Sequence, residues 1–362
     1  MNDKQLRWVY LDICRIVAIF FVVLIHVVAM QIFSDPVGSF DWTTLSVYFA
    51  FSRVCVPLFF MISGALALNP DNEISIKDLY QKYILRFVTC LLFWTAMFYI
   101  INVYAQDPNF TLATFDLNIF LTRVLKGHPQ HWFLFMIIGM YMLIPLLKLV
   151  TKNRNACRYY LILWLFFEIF FFNMHLLNIL FPNLNATQSL WLETLLTVTN
   201  SIAPRMVMGL SGYMVLGYYL HTQPLNSKNR HIIQLFGLLG LVATLVLTYA
   251  VSIREGSLQE IFYNTSTFGV FAMTLAVFVT AQSLSTSTVI AKNHLLLNIS
   301  TCSFGIYLVH DFFLNLMARN GITPALFTRT LSPLILSLVV FCLSFCLVYL
   351  IKKIPGVSKY IT

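Results

Sequence analysis

Asp12-Ile13-Cys14-Arg15-Ile16-Val17-Ala18-Ile19-Phe20-Phe21-Val22-Val23-Leu24-Ile25-His26 is apolar apart from Asp12, Arg15 and His26. At about 20 residues per crossing, the apolar run that contains it spans a bilayer as a helix. Ionisable groups inside such a span are costly and mark functional positions. Eleven residues advance an α-helix by about three turns, so Arg15 and His26 share one face, roughly 16 Å apart along the axis. Asp12 falls near the same stripe and is placed to pair with Arg15 at i,i+3. The remaining spans are expected to pack around that face. Lys4 and Arg7 precede the run, as in a signal peptide. The run is too long for one and holds a charge, so it reads as an uncleaved first span.

The rest of the chain repeats the pattern. Of 362 residues, 59% are hydrophobic and 10% charged, and the mean hydropathy is +0.79. Soluble domains carry about a quarter charged residues, so the chain reads as an all-α integral membrane protein. About ten segments are long and apolar enough to cross, near 11–33, 45–67, 82–104, 131–150, 158–178, 203–221, 231–253, 262–284, 299–318 and 331–351. With the N-terminus inside, Lys4, Arg7, Lys77, Lys82, Lys148, Lys152, Arg154, Arg158, Lys228, Arg230, Lys292, Lys352, Lys353 and Lys359 all fall on the cytoplasmic side. Only Arg123, Lys126, Arg254, Arg319 and Arg329 fall outside. That asymmetry predicts both termini in the cytoplasm.

The formal charge of +9 is dispersed over these short loops rather than gathered into a patch, which argues against nucleic acid. The longest extramembrane pieces, near 105–130 and 179–202, are too short for a core of their own. The turn-rich runs Gln106-Asp107-Pro108-Asn109 and Phe181-Pro182-Asn183-Leu184-Asn185 lie in them. One transmembrane domain over residues 1–362, without a soluble domain, is expected. The seven cysteines show no metal-ligand spacing and none lies in an external loop, so neither a metal site nor a disulfide is expected.

Polar groups recur in the other spans. Arg86 lies on the cytoplasmic side of the third span with Lys82 one turn below it. Lys82 alone reads as a snorkelling lysine; with Arg15 and Arg86 it gives three cations that can converge at the inner mouth. Arg53 enters the second span from outside and should reach the depth of His26 beside a polar cavity. In that span Pro57 frees a backbone carbonyl and Ser63-Gly64 permits close helix approach. His131-Trp132-Phe133 opens the fourth span, where Trp132 also suits an interfacial anchor. Glu168 stands mid-span among phenylalanines and needs a partner or a proton. Arg205 begins the sixth span. His310 and Asp311 are neighbours in the ninth, but adjacent helical positions point about 100° apart and do not face each other. No nucleophile elbow, phosphate-binding glycine loop or zinc motif is present. Cations at the inner mouth with a histidine deeper on the same face suit an elongated anionic ligand entering from the cytoplasm.

Arg15 and His26, with ten residues between them, resemble the Arg-x10-His signature of the membrane acyltransferase-3 family. Val56-Pro57-Leu58-Phe59-Phe60-Met61-Ile62-Ser63-Gly64 is similar to the family's second-span motif. His131-Trp132-Phe133 with Tyr141 and Pro145 resembles its fourth-span pattern, and Ser303-Phe304-Gly305-Ile306-Tyr307-Leu308-Val309-His310 its ninth. The likeness is to members without a fused periplasmic esterase-like domain. It implies a multi-pass bacterial inner-membrane enzyme that transfers an acyl group, usually acetyl. The donor would be cytoplasmic acetyl-CoA or another acyl-CoA, the acceptor a hydroxyl of a surface glycan or lipid-linked saccharide; membrane lipids would be the other partners. The essential arginine and histidine carry over onto Arg15 and His26. The family's third-span Arg-x-x-Arg is matched by Lys82-Tyr83-Ile84-Leu85-Arg86, which lacks the first arginine. Arg15, Arg86 and Lys82 would then hold the CoA phosphates by charge-assisted bonds. His26 would act as general base or transient acyl carrier. Arg53, His131, Trp132, Tyr307 and His310 would lie on the acceptor or oxyanion side. The rival class is a transporter or flippase for an anionic solute, with His26, Glu168 and His310 as proton relays.

Overall fold

Helix α1 (Val9–Ile32) runs unbroken through the middle of the bundle in the computed structural model, which describes residues 8–72, 74–106, 116–182, 185–284 and 293–354. It packs against α2 (Phe40–Ser52), α3 (Cys55–Ala67), α12 (Phe268–Leu284), α13 (His294–Arg319) and α14 (Ser332–Ile351). Cys14, Ala18, Ile19, Val23, Val27 and Val28 are fully buried in those contacts. No strand occurs among the described residues, as the hydropathy pattern requires. The charge distribution predicts that the end where α1 begins faces the cytoplasm, and the ends of the bundle are named inner and outer on that basis. Lys4, Arg7, Lys292 and Lys359, which contributed to that distribution, lie outside the described residues, as do positions 107–109 and 183–184 of the two turn-rich runs.

Nine helices among the described residues are long and apolar enough to cross a membrane. The third span is α4 (Leu85–Gln106), entered through a π-helical turn at Leu79–Ile84. The helix α5 (Leu117–Lys126) leads into α6 (Trp132–Thr151), the fourth span. The fifth is α7 (Arg154–Trp164), a π-helical turn at Leu165–Phe170, and α8 (Phe171–Leu180). Helix α11 (Ser227–Glu255) is the seventh. The expected extramembrane stretch 179–202 is largely helix α9 (Ala186–Ile202), begun by an Asn185/Gln188 capping box. All seven cysteines are free.

The expected sixth span, 203–221, is broken rather than continuous: only α10 (Ser211–Thr222), 12 residues long, is α-helical there, and that helix alone is too short to cross. Pro204 and Gly209, with φ +73°, interrupt the helix before it. Backbone opened in hydrocarbon needs partners from the protein. Glu168 supplies one, accepting from the Gly209 N–H at 2.8 Å and the Ser266 hydroxyl at 2.5 Å. The Trp164 indole donates to the Gly209 carbonyl at 2.9 Å. The partners that Glu168 needs are thus a broken backbone and the Ser266 hydroxyl.

The second span is broken too. Pro57 lacks the N–H that would bond the Arg53 carbonyl, and its ring crowds that carbonyl. Helix α2 therefore stops at Ser52 and α3 starts at Cys55, with Arg53 at the break. Helix α3 then packs tightly against α10. A Cβ on Gly64 would overlap the Met214 carbonyl oxygen, and one on Gly217 that of Met61. Each glycine lets the other helix's backbone approach, as Ser63-Gly64 suggested.

At the outer end Arg329 grips Asp35 in the α1–α2 connection, Nε to Oδ2 at 3.0 Å and Nη2 to Oδ1 at 3.3 Å. Gln31 adds a third bond to the same carboxylate at 2.7 Å. Partial burial opposes its ionisation, but the Arg329 and Gln31 hydrogen bonds win and hold the carboxyl below its ordinary range. A depressed carboxyl stabilises the fold above its unfolded value and loses that contribution as pH falls through the folded value. Asp35→Asn should therefore be less stable than wild type at pH 6, and the gap should close below the ordinary value of 3.8. Thermal melts in detergent across that pH range measure it; a pH-independent gap would contradict the ion-pair reading. Gly64→Val should cost about 1–3 kcal/mol or more by overpacking the α3–α10 contact. An unchanged melting temperature in that variant would refute the close approach.

Candidate functional site

Two cavities lie along α1. The inner one, of about 540 Å³, is lined by Arg15, Arg86, Lys352, Tyr83, Asn72 and Ser63 among others. The outer one, of about 260 Å³, takes in His26, Arg53, Glu260, Trp132, Gln130 and Thr265. Phe59, Phe133 and Tyr307 line both. One aromatic wall therefore separates the chamber that holds Arg15 from the chamber that holds His26. Because α1 is continuous, the two residues keep their spacing of roughly 16 Å.

In the inner chamber Arg15 Nη1 pairs with Asp12 Oδ1 at 3.2 Å, the expected i,i+3 contact. Asp12 also accepts from the Ser300 hydroxyl at 2.6 Å, which ties α1 to α13. The Arg86 guanidinium lies 5.6 Å from the Phe304 ring centroid. Lys352, just past α14, donates to the Thr301 carbonyl at 2.5 Å. Arg15, Arg86 and Lys352 thus face one space from three helices, and Asp12 supplies the nearby counter-charge. Lys82 does not join them: its ammonium sits 2.9 Å from Asp78 on an exposed surface. It lies inside the π-helical turn, where the wider winding removes the one-turn alignment with Arg86 that an α-helix would give. Lys352 was legible only as a topology charge after the tenth span.

In the outer chamber His26 stands beside Arg53. The Arg53 guanidinium bonds Glu260 at 2.9 Å and lies 4.1 Å from the Phe49 ring centroid and 5.0 Å from that of Tyr263. Its Nε is buried without a partner. Arg53 borders a polar cavity as expected; Glu260, at the outer approach to the eighth span, was missed. Trp132 lines the same chamber and is half exposed. Tyr307, in the wall, donates to the Gln130 carbonyl at 2.7 Å.

His131 is buried behind the wall, 3.1 Å from the Thr95 hydroxyl, and lines neither chamber. His310 packs behind His26, with ring centroids 5.2 Å apart. Asp311 points elsewhere, as helical geometry requires. It accepts from Asn315 at 2.8 Å and from Gln130, and lies 3.5 Å from His128 Nε2. Asp311 thereby fixes the turn 128–131 that presents Trp132. Arg205 is exposed and lines neither chamber. No cluster of metal ligands occurs among the described residues.

The arrangement offers cations for a polyanion on one side of a wall. On the other side it offers an imidazole and a guanidinium for proton transfer and oxyanion stabilisation. No curated protein and no solved structure matches the chain. A family model described as an acyltransferase domain matches residues 8–353, nearly the whole length. The chain belongs to that acyltransferase-3 family, as a multi-pass, all-helical membrane acyltransferase.

Proposed function

We propose that the protein is an acyl-CoA-dependent O-acyltransferase of a bacterial inner membrane. It moves an acetyl group from cytoplasmic acetyl-CoA to a hydroxyl of a surface glycan or lipid-linked saccharide. The observation that carries this reading is the shared wall, with Arg15 on one side and His26 on the other. Arg15, Arg86 and Lys352 bind the CoA phosphates in the inner chamber. The pantetheine arm runs along α1 past Phe59, Phe133 and Tyr307 and delivers the thioester to His26. A small acyl group suits an outer chamber of about 260 Å³ that must also admit the acceptor.

His26 removes the acceptor hydroxyl proton as its oxygen attacks the thioester carbonyl. The Arg53 guanidinium faces the developing oxyanion, and Glu260 holds that guanidinium in place. The C–S bond then breaks, its electron pair stays on sulfur, and the thiolate recovers the proton from His26. Trp132 offers an aromatic surface at the edge of the chamber for a sugar face.

The test is acetyl transfer by the purified protein from radiolabelled acetyl-CoA to an extract of lipid-linked saccharides. His26→Ala should lose label by about 10²–10⁴-fold at equal protein level, the usual contribution of a general base. Near-normal labelling in that variant would sink the assignment, and vesicle uptake of an anion without labelling would favour transport. The donor site gives a second expectation. Lys352→Ala should raise the KM for acetyl-CoA several-fold, by about the worth of one charge-assisted contact. Lys82→Ala should raise it less. The reverse order, read from initial rates against donor concentration, would move the phosphate site to the Asp78 surface.

A further inference from the structure

Behind His26 lies a second imidazole that the proposed transfer has not used. His310 is 1% exposed, and its Nδ1 lies 2.6 Å from the Tyr307 carbonyl oxygen. A carbonyl can only accept, so Nδ1 carries the hydrogen, and in the neutral ring Nε2 is a bare acceptor. That Nε2 is buried with no hydrogen-bond partner. Buried polar atoms without partners are uncommon in folded proteins and call for an explanation. The ring of His310 faces that of His26, centroids 5.2 Å apart and planes inclined by 39°. No hydrogen-bond partner of His26 is found among the described residues. One buried ring nitrogen lacks a donor, and the neighbouring imidazole carries an N–H.

We infer that His310 is the positioning residue of His26: its Nε2 accepts the N–H of one His26 ring nitrogen and thereby leaves the other as the base. The inference rests on the proposed acyl transfer. A general base needs the correct tautomer, and in hydrolytic triads a buried carboxylate fixes it. Here Asp311, the nearest carboxylate in sequence, is committed to Gln130, Asn315 and His128 and is turned away. The Tyr307 carbonyl does the orienting one step further back, by pinning Nδ1–H of His310. Tyr307 thus acts twice, its side chain in the wall between chambers and its carbonyl behind the histidine pair.

No hydrogen bond joins the two rings, and the 5.2 Å between their centroids is short enough for a turn of the His26 ring to make one. Catalytic hydrogen bonds often tighten only when substrate closes the site. Through the transfer the proton passes from the acceptor hydroxyl to the free His26 nitrogen and on to the CoA sulfur. The His26 N–H shared with His310 stays on His26, so His310 gains and loses nothing. His310 also stabilises the His26 imidazolium by accepting from it at that moment.

The experiment compares His310→Phe and His310→Gln with wild type and His26→Ala, using radiolabelled acetyl-CoA and the lipid-linked saccharide extract. Phenylalanine keeps the ring volume and removes the acceptor; the glutamine amide oxygen can stand where Nε2 stood. His310→Phe should lose about 10–10²-fold in kcat, part of the 10²–10⁴-fold of a general base, with KM for acetyl-CoA within twofold. His310→Gln should recover a large part of the loss. Equal rates for His310→Phe and wild type would overturn the inference, as would equal losses in the Phe and Gln variants. If His310→Phe does not fold, the Gln variant still decides, since less than a tenth of wild-type kcat at unchanged KM refutes an acceptor role. Absence of transfer by the wild-type protein would instead defeat the acyltransferase reading itself, before any comparison of variants.

Discussion

An ionisable side chain held in hydrocarbon must find water, a partner or a cavity, and α1 carries three such side chains on one helix. The surrounding helices answer that constraint. Asp12 is taken up by Arg15 and Ser300, Arg15 opens onto the inner chamber, and His26 opens onto the outer one. Five helices pack on α1, and its apolar faces supply much of the core. The same helix that carries the three ionisable side chains therefore organises the packing, which keeps Arg15 and His26 at a fixed separation.

The two broken spans serve that arrangement in different ways. The break before Pro57 puts Arg53 at a turn, where its side chain can reach the outer chamber and Glu260 together. The break at Pro204 and Gly209 is sealed by Glu168, Ser266 and Trp164. The helical halves that follow, α3 and α10, are locked by reciprocal glycine–carbonyl contacts at Gly64 and Gly217. An interrupted helix is weaker in isolation; here two interrupted helices pack closely against each other.

Hydropathy made most of the fold legible, because span length is a local property. The Arg15–His26 alignment was legible because α1 is regular. The break in the sixth span was not legible because residues 203–221 are apolar enough to cross, while Pro204 and Gly209 interrupt the helix without changing the hydropathy. Lys82 was misplaced for a similar reason: four residues from Arg86, it shares a face in an α-helix but not across the π-helical turn. Glu260, Lys352 and the His26–His310 pairing are tertiary facts, since each residue meets its neighbours only when distant helices pack. No spacing along the chain records them.

The wall of Phe59, Phe133 and Tyr307 has a further consequence. Two chambers placed end to end, one of them cationic, would form an anion-conducting pore if they joined freely. Aromatic constrictions block conduction by expelling water. Such a leak would discharge any membrane that holds a potential, so the wall is also electrical insulation. An enzyme that works as proposed would have to let a thioester through while never becoming a channel, and a narrow flexible arm that fills the gap as it passes would meet both demands.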